Sequence, residues 1–106
     1  MIEYRKEDNT LICIIKEEIV ASKISEMRNN LASHLDYDQA WEELVFDCKK
    51  VKTLDSIGVN FIVGVYKKAF STDRKFKIIG CNDLVAKVLK LFKLDEKFTV
   101  ETSNAS

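Results

Sequence analysis

The side chains with the most chemistry to offer are gathered at Thr53-Leu-Asp55-Ser56, where a carboxylate sits between two hydroxyls. Short side-chain oxygens of this kind accept the first unpaired N–H groups of a helix. An Asp-Ser pair just ahead of an apolar periodic run therefore marks a helix start. The run follows at once: Val59, Ile62, Val63, Tyr66, Ala69 and Phe70 recur at helical spacing. Ser56 is expected at a strand–loop–helix junction, its hydroxyl at the positive end of a helix, where negative charge is tolerated. Capping alone also accounts for these residue types, with Gly58 easing a tight loop.

Other chemistry finds little material. Nucleophilic catalysis needs a base beside the nucleophile, and His34, the only histidine, falls near the end of a polar helical face. A solvated imidazole is expected there. The sequence has no Gly-x-Ser-x-Gly elbow, no Gly-x-Gly-x-x-Gly and no phosphate loop ending in Lys-Ser/Thr. Its three glycines, at 58, 64 and 80, leave little for a loop that cradles phosphate. Glu17-Glu18 and Glu42-Glu43 read as solvated charged edges. Cys13, Cys48 and Cys81 are odd in number and form no Cys-x-x-Cys pair, which argues against a zinc site or a redox dithiol. They are expected to be small buried hydrophobes in a reducing compartment. No enzyme is expected, and no cofactor or metal is implied.

The elements that must position Ser56 follow from the rest of the chain. Its 106 residues, 46% hydrophobic and 32% charged, suit one folded domain. Seventeen basic residues balance 17 acidic ones, so the basic excess of a nucleic-acid binder is missing. The first residues lack the apolar core of a signal peptide, and no apolar run approaches the roughly 20 residues that span a bilayer. A cytoplasmic protein without membrane insertion is expected.

Ile2–Glu7 reads as an edge strand, Asp8-Asn9-Thr10 as a turn and Leu11–Ile15 as a buried strand, together an antiparallel hairpin. Between Ala21 and Leu35 the apolar positions Ile24, Met27, Leu31 and Leu35 make an amphipathic helix with Ala21 or Ser22 near its start. A loop at Asp36-Tyr-Asp-Gln39 leads through Trp41 to a strand at Leu44–Cys48. Beyond the central helix come a polar break at Ser71–Lys75 and a strand at Phe76–Gly80. Asn82 or Asp83 then caps a helix with Leu84, Val85, Val88, Leu89 and Phe92 on its apolar face. Phe98–Glu101 is a last short strand. One domain is expected over residues 1–102, with a frayed polar tail at 103–106. Strands alternating with helices imply parallel pairing through right-handed crossovers. The fold class is α/β: a mixed β-sheet, antiparallel hairpin first and parallel strands after it, packed by about four helices.

The run Leu44-Val-Phe-Asp-Cys-Lys-Lys-Val-Lys-Thr-Leu-Asp-Ser-Ile-Gly-Val59 resembles the signature of the STAS domain, the fold of bacterial anti-sigma-factor antagonists. Asp47 matches the family's strand-end acid, Val51 its loop apolar residue, and Asp55-Ser56-x-Gly58-Val59 its central motif. Phe76–Gly80 is similar to the next family strand, and Val85–Phe98 to its final helix and Leu-Asp-x-x-Phe turn. The likeness covers roughly residues 44 to 101 by motif, and the N-terminal part by layout. Two departures stand out. Lys16-Glu-Glu-Ile-Val-Ala21 lacks the glycine and the final aspartate of the family's turn after the second strand, and Ile57 replaces a small residue.

The resemblance implies partner switching. An unphosphorylated antagonist binds an anti-sigma factor that is also a serine kinase. Phosphorylation of the serine, here Ser56, ends the interaction, and a serine phosphatase restores it. The implied partner surface comprises Asp47, Thr53, Asp55, Ser56, Ile57, Gly58 and Val59, with Ile57 and Val59 fronting it, and direct nucleic-acid contact is not implied. The alternative is a STAS scaffold subunit without phosphorylation, as in a lipid-transport complex, where Ser56 is only a cap. An enzyme on an α/β fold comes third.

Overall fold

In the computed structural model, which describes residues 1–36 and 39–103, Ile2–Glu7 (β1) and Thr10–Ile15 (β2) pair antiparallel, Tyr4 opposite Cys13 and Glu7 opposite Thr10. The connection is a tight one. Asp8 takes a left-handed backbone there, φ 56°, as hairpin turns of this length require and as Asp tolerates. Thr10 thus belongs to the strand, where the sequence suggested a turn.

Glu43–Asp47 (β3), Lys75–Cys81 (β4) and Thr99–Thr102 (β5) follow, each parallel to the strand before it, in the order β1-β2-β3-β4-β5. The crossovers carry helices Ala21–His34 (α1), Ser56–Ser71 (α2) and Asp83–Leu91 (α3), and a 3-10 turn at Leu94–Glu96. These account for the about four helices expected. Strands added in one direction, through crossovers of one hand, place all three α-helices on one face of the sheet. That face carries Cys13, Ile15, Leu44, Phe46, Phe76 and Ile78, buried with Ile24, Met27, Phe61, Ile62, Val85 and Leu89 of the helices. Phe76 meets Phe46 and Phe98 edge-to-face, with ring centroids 5.2 and 4.8 Å apart, a favoured aromatic geometry. The alternate strand positions Ile12, Ile14, Val45 and Ile79 stay outside this cluster.

The apolar stripes differ from expectation at their ends. Phe70 is 70% exposed, because it falls in the last turn of α2, where its ring meets that of Tyr66. Leu84 lies on the flank of the stripe set by Val85 and Leu89, and Phe92 falls at the C-cap, where α3 has ended; both are about half exposed. Conversely Phe61 is buried, since α1 covers a second side of α2.

Two expectations touch residues outside the described ones. The loop at Asp36–Gln39 includes residues 37 and 38, and the expected tail includes 104–106. At Ser103 the backbone N–H donates to the carbonyl of Cys81 at 2.7 Å. Among the described residues no helix is long and apolar enough to cross a membrane.

Candidate functional site

The loop between β3 and α2 is held from three sides. At its start Asp47, buried at the end of β3, accepts a hydrogen bond from the Lys49 N–H (3.1 Å) and faces the Lys49 ammonium at 3.6 Å. Val51 is fully buried and pins the middle of the loop to the core. From the α3 side, Asn82 donates through Nδ2 to the Lys52 carbonyl (3.2 Å), while its Oδ1 caps α3 by accepting from Val85 N–H (2.7 Å). Gly80, φ +73°, lies inside β4 where its register with β5 shifts, two residues ahead of this cap.

The third side is the segment between β2 and α1, the one that departs from the STAS pattern. Glu18 Oε1 accepts hydrogen bonds from both Lys52 N–H (2.7 Å) and Thr53 N–H (2.9 Å). Ile19 and Leu54 then form an isolated parallel bridge. Gly58 lets α2 come this close, since a Cβ on it would lie 1.9 Å from the Ile19 carbonyl oxygen. The solvated charged edge expected at Glu17-Glu18 is therefore corrected. Glu18 closes two backbone donors 34 and 35 positions away, and Glu17 pairs with the N-terminal ammonium.

Asp55 is the centre of the arrangement. As N-cap of α2, its Oδ1 accepts from Gly58 N–H at 2.8 Å. Its Oδ2 accepts from Ala21 N–H at 2.9 Å. Ala21 is the first residue of α1, and the N-cap of that helix, Val20, offers no side-chain acceptor. One carboxylate thus closes the N-termini of two helices, supplying across the loop the cap that the Lys16–Ala21 turn lacks. The N–H groups of Ala21 and then Gly58 hold this carboxyl below the usual carboxylate range.

Ser56 occupies the first turn of α2 and is exposed. Among the described residues its hydroxyl makes no hydrogen bond. Thr53 and Ile57 are also exposed, Ile57 by 47%, and Asp55 is half-buried beside them. Asp47, Gly58 and Val59 are buried, and they position the surface from below. Val59 therefore does not front it: the helical turn that exposes Ser56 and Ile57 carries Val59 round to the core. Sequence reasoning missed Glu18 and Asn82 as loop anchors. Asn82 was legible as a helix cap, but no local pattern names the partners that either residue meets across the fold.

The remaining candidates fall into structural roles. His34 stacks on Tyr4 with ring centroids 4.1 Å apart, and its Nδ1 lies 2.9 Å from the Asn30 carbonyl. All three cysteines are buried free thiols. Burial pushes Cys13 up to about 12. A hydrogen bond to Cys81, together with burial, raises Cys48 well above the ordinary thiol range. Cys13 and Cys48, held protonated in this way, are poor nucleophiles, whereas the same hydrogen bond from Cys48 shifts Cys81 downward. Among the described residues no group of three or more His, Cys, Asp or Glu is placed to hold a metal ion.

Residues 1–106 match the family model of the STAS domain. No curated protein matches the sequence. Among solved structures the fold is similar to a Thermotoga maritima protein named as a candidate anti-sigma factor antagonist. The TM-score is 0.86 at 18% identity, over 98% of this chain and 88% of that one. An anti-sigma factor antagonist from Mycobacterium paratuberculosis follows, with a TM-score of 0.81 at 17% identity, over 95% and 84% of the two chains. The unphosphorylated anti-sigma factor antagonist SpoIIAA superposes with a TM-score of 0.76 at 14% identity, over 96% and 89%.

Proposed function

The chain belongs to the STAS domain family, and we propose that it acts in partner switching as an anti-sigma-factor antagonist controlled by phosphorylation of Ser56. In this reading it is a binding protein and not an enzyme. Unphosphorylated, it binds an anti-sigma factor with serine kinase activity through Thr53, Ser56 and Ile57; a serine phosphatase resets it. The observation that carries the reading is the position of Ser56. Its hydroxyl is exposed in the first turn of α2, next to a capping carboxylate that holds two helices.

That position separates the effect on a partner from the effect on the fold. A phosphate on Ser56 brings about −1.5 to −2 charges at neutral pH. At a helix N-terminus the macrodipole and the remaining N–H groups favour such a charge, and an exposed site needs no desolvation. For a partner packed against Ile57 the outcome is different. The dianion adds to the negative charge of Asp55 and must lose its water before the surfaces can close. The interface weakens while the domain stays folded.

The test is to incubate the protein with ATP and its anti-sigma-factor kinase, map the phosphate by mass spectrometry, and measure kinase binding of wild type and Ser56→Asp. The expected result is phosphate on Ser56, and binding of Ser56→Asp weaker by at least about tenfold (about 1.4 kcal/mol) with an unchanged melting temperature. Phosphate elsewhere, or nowhere with a demonstrably active kinase, overturns the proposal. Full function in a Ser56→Ala variant that no kinase modifies would move the protein to the scaffold class, in which Ser56 is a cap alone.

A further inference from the structure

The even balance of charge over the whole chain hides two unequal halves. Residues 1–63 hold eight basic and 12 acidic side chains, residues 64–106 nine and five. Helix α3 lies in the basic half and is apolar on two sides. Val85 and Leu89 are buried in the core. Leu84, Val88 and Leu91, at i, i+4 and i+7, form a second stripe, in which Leu84 is 53% and Leu91 71% exposed. Phe92 at the C-cap, 51% exposed, extends it. A surface helix of a globular protein ordinarily carries one apolar stripe, turned to the core. The outer stripe of α3 is bordered by Lys87 and Lys90, with Lys93 just beyond the helix, all three exposed. None of these lysines forms an ion pair among the described residues. Asp83 in the first turn and Asp95 and Glu96 in the 3-10 turn fall outside the span 84–93. Glu101 of the neighbouring β5 faces Lys77 at 3.9 Å instead.

We infer that α3 docks on an anionic lipid surface, with Leu84, Leu91 and Phe92 at the top of the acyl chains and Lys87, Lys90 and Lys93 among the headgroup phosphates. Sign selects an acidic surface, since three lysines without ion pairs border the stripe in the basic half of the chain. Side-chain chemistry then selects lipid over an acidic protein. Protein–protein interfaces are enriched in Arg, Tyr and Trp and depleted in Lys. Residues 83–98 carry four lysines and no Arg, Tyr or Trp. Leu and Phe beside lysine is the composition of helices that lie in a membrane interface, where the lysine stem buries its methylenes and the ammonium stays in the headgroup layer. The helix lies along the surface and does not cross it, because its nine residues span only about 14 Å against a hydrocarbon core of about 30 Å. Thr53, Ser56 and Ile57 take no part, so lipid docking and partner binding use different residues.

The test is co-sedimentation of the protein with vesicles of phosphatidylcholine alone and of phosphatidylcholine mixed with an equal amount of phosphatidylglycerol. Saturable binding to the mixed vesicles is expected, at least about tenfold tighter than to the neutral ones. Salt should weaken it as the Debye length shortens from about 10 Å at 0.1 M to about 3 Å at 1 M. Lys87→Glu combined with Lys90→Glu is expected to cost at least about tenfold in affinity, and Leu91→Gln about as much. Both variants change exposed positions, and circular dichroism checks that they fold. Lys6→Glu combined with Lys23→Glu, the same change of net charge placed on β1 and α1, is expected to bind like wild type. Equal binding to the two kinds of vesicle, wild-type affinity in either α3 variant, or an equal loss in the Lys6 and Lys23 variant overturns the inference. Absence of vesicle binding overturns it too, and a kinase complex weakened by Leu91→Gln would then assign this face to a protein partner.

Discussion

Replacing Gly58 and Gly64 of α2 by alanine, one at a time, is expected to move stability in opposite directions. Both sit in the same helix, where alanine is better than glycine by about 0.5–1 kcal/mol. At Gly64 nothing lies within 4 Å of the new Cβ, so the propensity gain stands alone. The melting temperature should rise by roughly 2–8 °C for a domain of this size. At Gly58 the Cβ would lie 1.9 Å from the Ile19 carbonyl oxygen, 2.9 Å from its carbon and 2.8 Å from Leu54 Cδ1. The leucine methyl can swing away, but the Ile19 backbone must retreat by more than about 1 Å to reach any tolerable contact. Ile19 is fully buried and bridged to Leu54, so that retreat opens the junction on which Asp55 depends. Overpacking of this kind costs about 1–3 kcal/mol, and the clash with backbone belongs at the upper end. The net loss is about 2 kcal/mol, a fall of roughly 8–16 °C. Urea unfolding followed by circular dichroism, with the slope compared among the three proteins, reads both changes. If Gly58→Ala proves as stable as wild type, the close approach of α2 to the β2–α1 segment is wrong.

Two further outcomes follow from the loop anchors. Asn82→Ala removes the N-cap of α3 and the tie to the Lys52 carbonyl together, and should cost about 0.5–2 kcal/mol in urea unfolding; an unchanged midpoint would show that the cap contributes nothing. Asp55 has a depressed pKa in the folded protein, so the unfolded chain takes up its proton first. Its stabilising effect is complete above the ordinary value of 3.8 and is lost as pH falls through the lower folded value. Acid unfolding curves of wild type and Asp55→Asn should therefore converge below that window and separate above it. Glu3, lowered chiefly by its hydrogen bond to Lys16, is common to both proteins and cancels in the comparison.

The sheet and its helices were legible because each rests on a local pattern. Leu11–Ile15 and Leu44–Cys48 are short apolar runs of strand length, and Ile24, Met27 and Leu31 recur at helical spacing. Asp55 and Asn82 were legible as caps for the same reason: the N–H groups of Gly58 and Val85 that they accept are three residues away. The second half of each role was not legible. Asp55 also closes Ala21, 34 positions off, and Glu18 serves a loop at the same remove. Such partners are set by the parallel alignment of β2 and β3, which no residue spacing encodes. The buried apolar faces failed only at their margins. Phe70, Leu84 and Phe92 carry the right period, but the helix end or the flank of the stripe puts them in solvent.

The strand order β1-β2-β3-β4-β5 repeats the order of the chain, and this has a bearing on how the domain is assembled. Every strand pairs with the one made just before it, so no strand has to be inserted between two that are already joined. Each closure spans a single crossover, which keeps the entropy of bringing ends together small and the contacts comparatively local. Synthesis from the N-terminus can extend the sheet one strand at a time. The Asp55–Ala21 and Glu18–Thr53 links become available only when the loop after β3 has emerged. Until then α1 has no side-chain acceptor at its first turn, and the third strand, with the loop behind it, is the step that locks the earlier half in place.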